Sequence, residues 1–533
     1  MKKYLQWNRA CLAGALVCVL ISNLLAVVLQ FVKGDVLDSA ILGEMSSTLI
    51  SALMLIGLIL LEILLYFGYN RFSARFTVGC AKHLKHDVFD SIMRRGYVNF
   101  KEQTQGEYIA KYTSEADAIM SRRFSMLPLF WNILFKIIFV SIALFFLDWR
   151  IALITILLLT TPLYIPKLIE KRLQRAQSDH LKAVEENLSK ISDWLAGFEI
   201  IKNFSIERKI MERFKSVNDY SMEMLLRDKQ LGAVAQLITT LISYLSYFIV
   251  LAVAAWLVLS GDFSAGDFFV AIGMIDQLSY PLISLAEIIR QLVAIKPVCI
   301  SMEQFIGNHN DSPRSAQRLT TVNRDIRYRS VCFSYNRQAP VLNGFDFSIE
   351  KGKRYLIKGP SGCGKTTAAN LLLRYYDVDT GFIEIDGIPI TNYSSTYDCM
   401  TVVRQEAILF NDSLRNNLTM FSEIPDKKMI EVLETLGLNK FASVESLDSI
   451  ISANGSNLSG GERKRICLAR AFLRDTDVLI LDEPLANLDD ETAGKIEDLL
   501  ISIKGKTLLI VSHQFSEEKL GAFSEVRHLS LSD

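Results

Sequence analysis

Six mostly apolar stretches crowd into the first 293 of 533 residues: Ala10 to Val32, Leu49 to Tyr69, Leu127 to Leu147, Ile151 to Ile169, Leu231 to Ser260 and Phe268 to Val293. Each is about long enough to cross a hydrocarbon core of about 30 Å as a helix. A chain that is 50% hydrophobic with mean hydropathy +0.24 is too apolar to be wholly soluble, whereas its last 200 residues read as an ordinary globular domain. The expectation is a membrane α-helical bundle of six long helices (1–306), a linker (307–324) and a soluble α/β domain (325–533). The first run follows Lys2, Lys3 and Arg9 as a signal peptide would. It is too long for one and is followed by further spans, so it is expected to be retained.

About 60 residues separate spans two and three, and again spans four and five, whereas only Asp148, Trp149 and Arg150 separate spans three and four. The long stretches carry Arg71, Arg75, Lys82, Lys85, Arg94 and Arg95 in one case, and Lys167, Lys171, Arg172, Arg175, Lys182 and Lys190 in the other. Positive charge favours the cytoplasmic side, which places both loops and both termini there. Apolar residues recur within them at helical spacing (Val88, Ile92; Leu188, Ile191, Leu195), so the helices are expected to run on beyond the bilayer. Ionisable or amide side chains inside the spans (Glu62, Lys136, Gln236, Asp276, Glu287, Arg290) are candidates for lining a transport path, and Pro281 should loosen the last span. Lys plus Arg and Asp plus Glu balance at 58 each, and no nucleic-acid partner is expected. The eight cysteines lack CxxC spacing, so neither a metal site nor a disulfide framework is read, and the soluble half belongs in a reducing compartment.

In the soluble half a β-like run, Arg354 to Lys358, leads into GPSGCGKT (Gly359 to Thr366) and then a helical segment. Strand, glycine loop and helix are what a phosphate-binding loop requires: backbone N–H groups curl around the phosphates and the helix N-terminus adds its positive end. Lys365 would reach the β/γ phosphates and Thr366 a magnesium ion, while Cys363 is expected to pack. Val478 to Glu483 reads VLILDE, a buried strand ending in two carboxylates. Asp482 is the candidate magnesium ligand and Glu483 the candidate base for an attacking water. A later strand, LLIV, ends at Ser512 and His513, which puts His513 on the same sheet edge. With GPSGCGKT and LSGGE (Leu458 to Glu462) both present, one chain reads as carrying both halves of a nucleotide sandwich that only a second copy or a partner can complete.

These motifs together resemble an ATP-binding cassette (ABC) transporter of the exporter type, with a six-helix membrane domain ahead of one P-loop domain bearing a helical subdomain. The resemblance spans nearly the whole chain. It implies that Tyr335 stacks on adenine and that Gly359, Ser361, Gly362, Cys363, Gly364, Lys365, Thr366 and Thr367 form the Walker A loop. It also implies that Ser459, Gly460 and Gly461 are the signature reaching the opposite subunit's γ-phosphate. Gln405 is then the Q-loop residue, acting in catalysis and at the metal beside Thr366 and Asp482. Glu483 and His513 complete the catalytic set, and Asp489 belongs to the D-loop. ATP and Mg2+ are the implied cofactors, and the implied partner is a second copy or a paralogous half-transporter. Gly106 to Ile119 and Leu195 to Glu207 resemble the two intracellular loops that carry coupling helices in the family.

Departures from the family pattern are Glu462 where Gln is common, Asn454 where an acidic residue is typical, Gln514 where Arg is frequent, and a short stretch after His513. The implied activity is ATP-driven alternating access in a bacterial inner membrane, with export of a peptide, lipid or amphipathic small molecule. Two alternatives stay open: import of a metal chelate through an exporter-like fold, and a nucleotide-dependent regulator that does not pump.

Overall fold

The computed structural model describes residues 1–159, 165–307, 318–335, 339–360, 362–452, 455–486 and 488–530. By internal contacts the chain divides into two units, Met1–Met93 with Thr104–Asn308, and Arg94–Gln103 with His309–Asp533.

The first unit is helical. Among the described residues four helices are long and apolar enough to cross a membrane: Arg9–Ile41, Met45–Met93, Gln105–Leu147 and Glu207–Leu259. The predicted fourth span begins as the helix Trp149–Leu159 and then enters residues 160–164, outside the described residues. The predicted sixth lies in the 30-residue helix Ala265–Ala294, which contains Pro281. Met45–Met93 has 49 residues, about 73 Å at about 1.5 Å per residue, more than twice a bilayer core. Its C-terminal half therefore stands clear of the hydrocarbon. The turn after Leu147 closes because Asp148 accepts hydrogen bonds from the backbone N–H groups of Arg150 (2.7 Å) and Ile151 (3.3 Å) while its carboxylate pairs with the Arg150 guanidinium.

The first and last long helices of this unit cross tightly. A Cβ on Gly34 would meet Val270 Cγ2 at 2.6 Å, so only glycine allows that approach. One turn on, Asp38 accepts hydrogen bonds from Ser264 Oγ (2.6 Å) and the Gly266 N–H (2.7 Å), capping the helix Ala265–Ala294 from outside.

The second unit is α/β. Its strands are β1 Asp325–Phe333, β2 Leu342–Glu350, β3 Arg354–Lys358, β4 Thr380–Ile385, β5 Ile388–Pro389, β6 Met400–Val403, β7 Asp412–Ser413, β8 Ile450–Ile451, β9 Val478–Asp482, β10 Thr507–Val511 and β11 Glu525–His528. An antiparallel sheet in the order β2-β1-β4-β5 packs against a parallel sheet in the order β11-β3-β10-β9-β6. All residues of β9 and β10 are buried, as continuous apolar runs in a parallel sheet require. The helices Leu414–Thr419, Asp426–Thr435 and Gly460–Leu473 share a second apolar core with β9 and β10.

The short helix Tyr97–Lys101 belongs to this second unit, although it lies between two long membrane-domain helices in the sequence. Its Tyr97 ring stacks on Tyr375 with centroids 4.1 Å apart and planes 8° apart.

Candidate functional site

Strand order puts the chemistry at one edge. β10 lies between β3 and β9, with Val511 opposite both Ile357 and Asp482. The glycine loop leaves the C-terminal end of β3, Asp482 and Glu483 end β9, and Ser512 and His513 follow β10. All three exits thus share the crevice side of the sheet, where open α/β sheets bind ligands.

Gly364 caps the helix Lys365–Leu372 at φ +95°, and a Cβ there would sit 2.9 Å from the Val341 carbonyl oxygen. At Gly359 a Cβ would strike the Leu529 carbonyl and lie 2.7 Å from Cys363 Sγ. Cys363 is buried, so its side chain fills the space beneath the loop. The Lys365 ammonium is folded back, donating to the carbonyls of Gly359 and Pro360 at 2.8 Å each. Those two neutral acceptors are weaker partners than a phosphate, which leaves the lysine poised to exchange them. The Tyr335 hydroxyl lies 3.0 Å from Thr367 Oγ1, and its ring meets Phe333 and Tyr376 edge-on, so an aromatic face borders the loop. Ser361 lies outside the described residues.

Thr366 Oγ1 donates to Asp482 Oδ1 at 3.3 Å. Burial raises the Asp482 carboxyl pKa above the usual carboxylate range, against the Thr366 hydrogen bond and the Arg404 charge, which lower it. A hydroxyl and a desolvated carboxylate side by side are hard oxygen donors of the kind Mg2+ accepts, and a divalent charge would offset that desolvation. Gln405 lines, with both residues, one cavity of about 1170 Å³.

Glu483 is buried at φ +47°, an uncommon conformation for a residue with a side chain and one met at functional sites. Its backbone N–H donates to the Val511 carbonyl at 2.8 Å, which turns the side chain toward the end of β10. There Glu483 Oε1 lies 2.8 Å from His513 Nδ1, and Oε2 accepts from Ser512 Oγ at 3.4 Å.

Ser459 caps the helix Gly460–Leu473 in a reciprocal box: its Oγ accepts the Glu462 N–H at 3.2 Å while Glu462 Oε2 accepts the Ser459 N–H at 2.9 Å. Glu462 also pairs with Lys440 at 2.5 Å, and this contact together with the cap holds its carboxyl below the usual range. Ser459 and Gly460 are exposed, so this helix start faces outward. Asp489 likewise caps the helix Asp490–Ser502, accepting the Thr492 N–H at 2.9 Å.

Residues 12–282 match the description "ABC transporter transmembrane region" and residues 342–486 match "ABC transporter". The chain belongs to the ABC transporter family. The transporter is 26% identical over 531 residues to an ATP-dependent lipid A-core flippase of Photobacterium profundum, covering 96% of this chain and 90% of the relative. It is 27% identical over 522 residues to a protein of the same description from Syntrophus aciditrophicus, covering 95% and 85%. A solved structure of a bacterial Atm1-family ABC exporter with ATP bound superposes with a TM-score of 0.78 at 22% identity, over 98% of this chain and 94% of that one. The transporter is therefore an integral membrane ATPase that couples ATP to transmembrane movement, built as a half-transporter that pairs with itself or a related half.

Sequence reasoning overlooked three of the transporter's residues. Lys464 is 2% exposed and donates to the carbonyls of Arg404 (2.8 Å), Gln405 (3.2 Å) and Asp482 (3.5 Å). Arg404 stands 4.0 Å from Asp482 and 5.0 Å over the Tyr375 ring. Ser512 braces Glu483. A lysine among signature-helix residues carries no signal of burial in the sequence. The segment grouped with the soluble unit, Arg94–Gln103, precedes Gly106 to Ile119, and Asn454 lies outside the described residues.

Proposed function

We propose that this transporter is a homodimeric exporter of a lipid-linked anionic amphipath in a bacterial inner membrane, with Mg2+ and two ATP molecules held between two copies. The observation that carries the reading is the near full-length likeness to lipid A-core flippases in a chain with a complete set of hydrolytic residues. Lys365 and the loop N–H groups hold the phosphates, Tyr335 offers its ring to adenine, and the outward-facing start of the helix Gly460–Leu473 reads the γ-phosphate bound by the other copy. Thr366, Asp482 and Gln405 would hold the metal, which when bound would screen phosphate charge. Glu483 takes the proton from the attacking water. The Ser512 and His513 contacts hold its carboxylate at the end of β10, so that the base is aimed before substrate arrives. ATP drives the cycle because it favours the closed dimer over the open one, and only such differential affinity can shift a conformational equilibrium.

The test is ATP hydrolysis and lipid movement by the purified chain in lipid vesicles, beside Glu483→Gln. Wild type turns over as a dimer and moves a lipid-linked anionic amphipath, and the variant binds ATP with turnover lower by about 10²–10⁴-fold. Wild-type hydrolysis rates in Glu483→Gln would remove Glu483 as the base. An inactive wild-type chain would point to an obligatory partner.

A further inference from the structure

A polar seam runs through the membrane helices. The Asn23 amide donates to the Asn132 carbonyl (3.2 Å) and Oδ1 (3.0 Å), and the Tyr69 hydroxyl reaches Asn132 and Ser73. Asn23 and Tyr69 are 6% and 5% exposed, so these amide and hydroxyl groups lock three helices together. Helical spacing extends the seam. Glu62 lies seven residues before Tyr69 on Met45–Met93, and Lys136 lies four residues after Asn132 on Met126–Leu147. Lys136 is near the middle of Met126–Leu147, the apolar C-terminal part of the long helix Gln105–Leu147, and therefore at bilayer depth.

Lys136 differs from the rest of the seam. The charge whose field reaches it is Glu62, but among the described residues no acceptor lies within hydrogen-bonding distance of its ammonium and no carboxylate closes an ion pair with it. Both side chains are only partly buried. Leu60, Leu61, Ile63 and Leu64, which flank Glu62 on its helix, are exposed, so a lipid can approach from that side. An ammonium in hydrocarbon without an acceptor is costly, and such residues face partners or transport paths.

We propose that Lys136 is a mid-membrane contact for the phosphate of an anionic amphipath, with Glu62 as the internal counter-charge that the phosphate displaces. This inference rests on the proposed export of an anionic amphipath and deepens it by naming a contact. Phosphate bonds to an ammonium are charge-assisted and outbid a carboxylate held at a distance. Glu62 serves the empty state, moderating the lone cation, and weakens anion binding by repulsion. Removing the two charges must therefore have opposite effects on anion affinity.

The experiment measures ATPase stimulation of the full chain in phosphatidylcholine vesicles carrying increasing phosphatidylglycerol, with soluble glycerol phosphate as a separate arm. Lys136→Met should raise the phosphatidylglycerol content for half-maximal stimulation about tenfold, the loss of one charged hydrogen bond. Glu62→Gln should lower it, and Lys136→Arg should restore most of the wild-type value. Stimulation by glycerol phosphate alone would name a free phosphate ester as the ligand of the same site; stimulation by the lipid only would name the headgroup. If both Lys136→Met and Glu62→Gln raise the midpoint, the pair is only a packing element and the inference fails. If wild type responds and neither variant shifts the midpoint, it also fails, while the export reading stands. A wild type indifferent to both anions would overturn the anionic-substrate reading and this contact with it.

Discussion

Lys464 carries more structural consequence than its position in the signature helix suggests. Its ammonium ties carbonyls at the end of β6 and at the end of β9 to the helix Gly460–Leu473. Burial pushes its pKa below the ordinary lysine value, against the favourable charges of Cys467, Asp482 and Glu483. Substituting methionine keeps the stem and leaves three carbonyls without their shared donor, at a cost of about 1–3 kcal/mol. Lys464→Met should therefore unfold at lower temperature in calorimetry of the purified transporter. Its ATPase should fall further than the lost stability explains, because the backbone on either side of Gln405 and Asp482 loses its common support. Unchanged turnover at a reduced melting temperature would confine Lys464 to a stability role. Glu462, by contrast, is explained locally: it closes the cap with Ser459 and pairs with Lys440, roles a carboxylate fills better than an amide at a helix N-terminus.

At the scale of elements, the start of β1 is held by a single carboxylate. Asp386, itself at φ +54° in the turn between β4 and β5, accepts the backbone N–H groups of Asn323 (2.8 Å), Arg324 (2.6 Å) and Asp325 (3.2 Å). Burial alone would raise its pKa, but these donors hold the carboxyl below its ordinary 3.8. A depressed folded-state pKa contributes stability that is present above the unfolded value and lost as pH falls through the folded one. Asp386→Asn should be less stable than wild type at neutral pH. The difference between the two should shrink in urea unfolding series taken below about pH 4. A gap independent of pH would assign the effect to shape instead of charge. The signature and D-loop helices follow the same logic of short polar caps: Ser459 and Asp489 each accept the backbone N–H of the residue three further on, a pairing of near neighbours in sequence, although Asp489 is placed only by the family resemblance and is not read as a cap from the sequence.

For the whole molecule, the decisive question is whether two copies share each nucleotide. If the phosphate loop of one copy works with the signature of the other, Lys365→Ala and Ser459→Arg each inactivate both sites of their own homodimer. Mixed dimers concentrate both lesions in one site and leave the other intact. Equimolar coexpression should therefore regain ATPase activity that neither variant has alone, and a mixture as inactive as its parents would argue against shared sites.

The phosphate loop, the two carboxylates and the apolar spans were legible in the chain because each is imposed by its own neighbours in sequence. Glycines must sit where the backbone wraps phosphate, carboxylates where a buried strand ends, and apolar residues wherever a helix meets hydrocarbon. Four of the long helices and the sheet edge with Asp482, Glu483 and His513 rest on such local rules. Contacts between distant segments obey no local rule. Strand register set Glu483 against His513 at 2.8 Å, helix packing buried Lys464 under three carbonyls, and the path of the backbone grouped Arg94–Gln103 with the soluble unit. Tertiary packing also aligned Asn23, Tyr69 and Asn132 from three helices, since the partner of a buried polar group is chosen by whichever surface meets it in space.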